Sequence, residues 1–158
     1  MKLKKIHKDA IPAALEKALH WRLLNQPHEM ESICRDILEI EPDNQPAIRL
    51  LGLALTDRFD GSKHDPFVEA ERVFQSLTDP YERLYRLGYL YERRAKAELG
   101  AKVEPYKVTA LLRKAFDCYE KAEKIHPPGN DEAILRWNYC VRLAKSRPDL
   151  EWAMRDVK

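Results

Sequence analysis

Apolar residues recur every three or four positions along most of the chain, and proline, aspartate and asparagine interrupt them at short intervals. Leu84, Leu87, Gly88, Tyr91 and Ala95 share one face of a helix, and Leu111, Leu112, Ala115, Tyr119 and Ala122 share one face of the next. The prolines fall at the starts of these patterns, where the missing N–H does no harm. Asp65-Pro66 and Asp79-Pro80 read as N-cap followed by first helical residue, and Glu82 stands where a capping box would place it relative to Asp79. Pro12, Pro27, Pro46, Pro105 and Pro148 mark further starts, and Asn130 a further cap. The pattern predicts helices near 12–25, 27–40, 45–58, 66–77, 80–99, 105–125 and 130–145, with a short last one at about 148–156.

Composition agrees. The 158 residues fit one domain. Leu, Ala, Glu, Arg and Lys predominate, all good helix formers, while scarce Val and Thr argue against a substantial sheet. Hydrophobic residues at 44% suffice for a core. Much of the 34% charge belongs to solvated helix faces, such as Asp117–Lys121 and Glu120–Lys124, acid before base at i,i+4. The five glycines lie at least nine positions apart, which leaves no GxGxxG, Walker-type loop or GxSxG elbow. Nucleotide enzymes of the common α/β kinds are therefore poor candidates. No apolar run approaches the ~20 residues of a membrane span. Met1–Lys8 is basic but no apolar stretch of signal-peptide length follows, so no secretory leader is expected. Cys34, Cys118 and Cys140, odd in number and without CxxC spacing, predict a reducing, cytoplasmic setting.

Paired helices of similar length suggest an internal repeat. Leu84-x2-Leu87-Gly88-x2-Tyr91 is followed by Ala115-x3-Tyr119-x2-Ala122-x4-Pro127. Ile48-x2-Leu51-Gly52-x2-Leu55 and Ala70-x3-Phe74 repeat parts of it, and Ile37 to Asn44 read as an exit from one unit into the next. The set resembles the tetratricopeptide repeat (TPR), a helix-turn-helix unit of about 34 residues. The resemblance implies an all-α, TPR-like α-solenoid, a right-handed superhelix of antiparallel helix pairs with about seven to eight helices. Repeats fall at about 11–44, 45–80 and 81–129, with a partial capping repeat at 130–156, in a single domain 11–158 after a basic segment 1–10. Ala18, Gly52, Gly88, Ala70, Ala115 and Ala122 would be the small positions where helices approach closely.

The chain also departs from the family. From Leu55 to Ala70 there are 15 steps where the family has about nine. From Tyr91 to Ala115 there are 24, which implies a protruding long hairpin across 92–107. Repeat one has Ala14 at the first signature position, and Cys34 takes the aromatic position of its second helix.

By the same resemblance, first helices line a concave groove that takes an extended peptide or a partner helix. The Lys, Arg and Asn set with which some members clamp a terminal carboxylate is missing here. The positions that face the groove are instead Arg49, Leu53, Tyr85, Arg86, Tyr89 and Arg93, with Arg142 as the candidate from the last repeat. Tyr81, Tyr85 and Tyr89 recur every four residues, off the Leu84–Tyr91 stripe. They serve either as partner contacts, Tyr and Arg being enriched at interface hot spots, or as packing against the neighbouring repeat.

Charge is uneven. Residues 82–114 carry nine bases and four acids, and residues 28–43 carry six acids and one base. This suits an acidic partner, or head-to-tail self-association. The net charge of +2 is small for a dedicated nucleic-acid binder. Catalytic chemistry is thin: the five histidines form no HExxH and no i,i+4 pair, and Glu123-x2-His126 has metal-compatible spacing but no second copy. His126 reads as a helix-end histidine. The cysteines read as buried thiols and Trp21, Trp137 and Trp152 as core or inter-repeat anchors. The expectation is a noncatalytic protein–protein interaction module or scaffold without cofactor, metal or membrane. The alternative is a structural, self-associating homodimer, with nucleic-acid binding the weakest reading.

Overall fold

The computed structural model describes residues 1–102 and 104–154, without the side chains of Trp152 and Ala153. Among these residues every regular element is helical. A 3-10 turn at Lys8–Ala10 leads into α1 (Ile11–Leu23), α2 (Pro27–Ile40), α3 (Gln45–Thr56), α4 (Phe67–Gln75), α5 (Pro80–Gly100), α6 (Pro105–Glu123), α7 (Glu132–Lys145) and α8 (Pro148–Met154). No described helix is long and apolar enough to cross a membrane.

The boundaries follow the caps. Asn44 Oδ1 accepts the Ala47 N–H at 2.9 Å and Asp79 Oδ1 accepts the Glu82 N–H at 2.6 Å, fixing the starts of α3 and α5. Proline stands in the first turn of α1, α2, α3, α5 and α6. Three expected caps come out differently. Helix α4 begins one residue late, at Phe67, because the Asp65 carboxylate divides itself between the Phe67 N–H at 3.3 Å and Arg94 of α5. Asn130 Oδ1 accepts the Glu132 N–H at 3.0 Å and also the Tyr81 hydroxyl at 2.9 Å, and α7 starts only at Glu132. Glu82 does not close the capping box on Asp79, since its carboxylate turns to Arg49 of α3. In each case a partner on another helix competes with the local backbone, and for Asp65 and Glu82 that partner is a cation.

Each helix packs against its neighbours in sequence, and α1, α3, α5 and α7 also touch one another in succession. The predicted small positions are where backbones come close: Ala18, Ala70, Ala115 and Ala122 are fully buried. A β-carbon on Gly52 would overlap the Phe74 ring, and one on Gly88 would lie 2.6 Å from the Tyr119 ring. Where α1 has Ala18 instead of glycine, α2 has Cys34 instead of a ring, and both sit fully buried in one cluster. The extra methyl is offset by the missing aromatic volume. Trp21 and Trp137 pack at the edges of the two main clusters, and Trp137 meets Phe116 edge-on at 4.5 Å. The Trp152 side chain and residues 155–156 of the predicted last repeat lie outside the described residues.

The long α5–α6 hairpin is not a free protrusion. The 57–66 connection folds onto the second half of α5, where Arg94 pairs with Asp65 and donates to the Ser62 carbonyl at 3.1 Å. Gly61 has φ of 80° and passes so close to α5 that a β-carbon would come within 2.7 Å of the Ala97 carbonyl oxygen. On the other side Lys96 lies 4.9 Å from the Tyr139 ring of α7. Gly100, expected in the turn, closes α5 instead, and Lys102 takes the left-handed conformation at φ 57°.

Candidate functional site

A groove of about 580 Å³ runs between α1, α3 and α5 and reaches Glu132 at the start of α7. Its positions follow helical spacing. Leu15, Leu19 and Arg22 share a face of α1, Pro46, Arg49, Leu50 and Leu53 a face of α3, and Tyr85, Arg86 and Tyr89 a face of α5. Five of the seven sequence-predicted residues, Arg49, Leu53, Tyr85, Arg86 and Tyr89, therefore meet on one surface. Leu53 is nearly buried and forms its floor. Arg93 is not among the lining residues; it stands one turn beyond Tyr89, held by Asp57. Arg142 does not join them. It is exposed on the last turn of α7, because the face of α7 that meets α5 carries Arg136 instead.

Charged side chains tie the groove helices together. Arg49 grips Glu82 with Nε and Nη2, the latter at 2.9 Å, and Arg86 Nε lies 3.6 Å from the same carboxylate. The Glu82 hydrogen bond, opposed by burial, raises the Arg49 guanidinium further above its ordinary range. At the other end Asp57, the C-cap of α3, lies 3.5 Å from Arg22 Nε and 3.6 Å from Arg93 Nη2. Each carboxylate thus serves two arginines, joining α1, α3 and α5.

Tyr85 and Tyr89 line the groove, and the stripe also packs against neighbouring rings. Tyr81 and Tyr85 stack with ring centroids 6.1 Å apart, and Tyr85 lies 6.2 Å from the Tyr119 ring of α6. Burial, and then the charge of Glu132, raises the Tyr85 phenol above its usual range. Tyr89 lines the groove with one face and carries the Arg136 guanidinium 5.1–5.2 Å from its ring and that of Tyr139. Arg136 in turn pairs with the fully buried Glu92, which also accepts the Tyr119 hydroxyl at 2.9 Å. Sequence reasoning passed over Arg136. The available signal was Glu92, an acid on the inner side of α5 between Gly88 and Ala95, which requires a cation from a neighbouring helix.

Cys34, Cys118 and Cys140 are free and buried. Burial raises the Cys34 thiol to about 12 and the Cys118 thiol to about 11, and raises Cys140 as well, which suits inert thiols rather than nucleophiles. No group of three or more His, Cys, Asp or Glu among the described residues is arranged to hold a metal ion. Exposed His126 turns its Nδ1 to the Glu123 carbonyl oxygen, within its own helix end. Compared with family models, curated proteins and solved structures, the chain matches none.

Proposed function

We propose that the chain is a TPR-like α-solenoid that works as a noncatalytic interaction module, taking a peptide in the groove between α1, α3 and α5. One observation carries this reading. Side chains from three successive odd-numbered helices converge on one open surface that combines apolar floor, half-buried tyrosines and arginines. Tyr and Arg in such a setting supply area and directional bonds at low entropic cost. The succession of neighbour-to-neighbour contacts and the paired Gly52–Phe74 and Gly88–Tyr119 approaches support the repeat architecture. Three unpaired cysteines accord with the cytoplasm.

Selection from a random-peptide display library on the immobilised protein tests the reading. Enriched peptides should lose about 2 kcal/mol of binding on Tyr85→Ala or Tyr89→Ala, with helix content unchanged by circular dichroism. Peptides that bind both variants as tightly as the native protein would place the binding surface elsewhere.

Self-association is a second reading, favoured by the exposed leucines at the end of α1, Leu19, Leu23 and Leu24. Light scattering decides it: a mass that rises with concentration supports a dimer, and a constant monomer removes it.

A further inference from the structure

We propose that the groove selects a peptide with two acidic side chains about 10 Å apart, held in extended conformation and separated by apolar residues. The proposal rests on the groove reading above and specifies its ligand.

Two charge clusters at the groove, one toward each end, hold more guanidinium than carboxylate. Glu82 serves Arg49 and Arg86, and Asp57 serves Arg22 and Arg93. One carboxylate neutralises one guanidinium, so each set retains a surplus positive charge. The hydrogen bonding is equally uneven. Arg49 holds Glu82 with two nitrogens, whereas Nε of Arg22, Arg86 and Arg93 is buried with no hydrogen-bond partner. A buried N–H without an acceptor is costly. The three side chains remain 34%, 20% and 31% exposed, so other parts of each fork are open to a second carboxylate. Such a carboxylate can engage the fork in the paired geometry that arginine favours.

Position sets the spacing. Arg86 and Arg93 are seven residues apart on α5, which returns them to the same face about 10 Å apart. Tyr89 lies between them in sequence, and Leu50 and Leu53 of α3 line the same groove. A polyproline II-like chain rises about 3.1 Å per residue and repeats its face every third residue. Acids at i and i+3 would then reach both arginine sets, with the two residues between them over Tyr89 and Leu50. Glu16 and Glu132 line the groove on α1 and α7 and repel further acids outside this pair.

The probe is a fluorescein-labelled Ala-Glu-Leu-Leu-Glu-Ala amide, followed by polarisation beside its twin with both glutamates replaced by glutamine. The glutamate peptide should bind about tenfold more tightly or better, and its advantage should shrink with added salt. Arg86→Gln and Arg93→Gln leave the Arg49–Glu82 and Arg22–Asp57 pairs in place, so the fold is kept. Each should weaken the glutamate peptide more than the glutamine peptide, so that the advantage shrinks. Equal binding of the two peptides overturns the acidic pair while leaving the groove intact. Tighter binding of a peptide with glutamates seven positions apart overturns the extended ligand. No binding of either probe, when display-selected peptides bind and depend on Tyr85 and Tyr89, also overturns it without touching the groove reading.

Discussion

Gly88 of α5 lies beneath the ring of Tyr119 of α6, so close that a β-carbon would stand 2.6 Å from the ring edge. Gly52 and Phe74 repeat the arrangement in the preceding helix pair. Alanine at Gly88 gains about 1 kcal/mol of helix propensity. The ring, fully buried and bonded through its hydroxyl to Glu92, has little room to yield. Gly88→Ala is therefore expected to destabilise the protein by about 1–3 kcal/mol in urea unfolding. Gly52→Ala should do the same, and Phe74→Leu in that background should recover part of the loss.

Glu92 is fully buried and depends on Arg136 for its countercharge. Arg136→Met leaves that carboxylate beside the Tyr119 hydroxyl without its countercharge and should cost about 3–5 kcal/mol. Adding Glu92→Gln should restore much of the loss. If the double variant unfolds as early as the single one, the penalty lies in packing around Arg136 and not in the unpaired charge.

A pH effect follows from Glu31. Burial raises its carboxyl, but Arg35, with a bond at 2.8 Å, and Arg58 together hold it below the ordinary 4.5. The folded state thus favours the ionised form. Its contribution is present above the unfolded value and lost as pH falls through the lowered folded value. Glu31→Gln should cost no more than about 1 kcal/mol at neutral pH, and the two unfolding curves should converge as pH falls through the lowered folded value of Glu31.

The thiols give a probe of the closed state. All three are buried, and burial raises each above its usual range. Thiol reagents near pH 8 should label none of them quickly in the native protein and all of them in denaturant. Rapid labelling of one cysteine in native buffer would show that its helix pair opens locally.

Much of the architecture was legible because its signals are local. Proline and capping residues marked the helix starts within a residue or two, and the small positions Gly52 and Gly88 marked where helices meet. Five groove residues could be placed because α3 and α5 carry regular stripes. What was not legible depends on partners distant in sequence. Asp65, Glu82 and Asn130 looked like plain caps, yet each is shared with another helix. Arg142 is the expected residue and Arg136 the one that faces α5, because α7 has no glycine to set its register and the cue is the buried Glu92 on another helix. The long hairpin looked unsupported because nothing local links Gly61 to Ala97.

That last contact ties together two irregularities of the chain. The lengthened 57–66 connection and the added turns of α5 cover one another through Asp65, Arg94 and the backbones of Gly61 and Ala97. Shortening α5 alone would strand an acid and uncover a loop, while trimming the loop alone would bare an arginine and a stretch of helix. A minimal version of this protein must lose both segments together, and a graft of either into another helical scaffold must carry its counterpart.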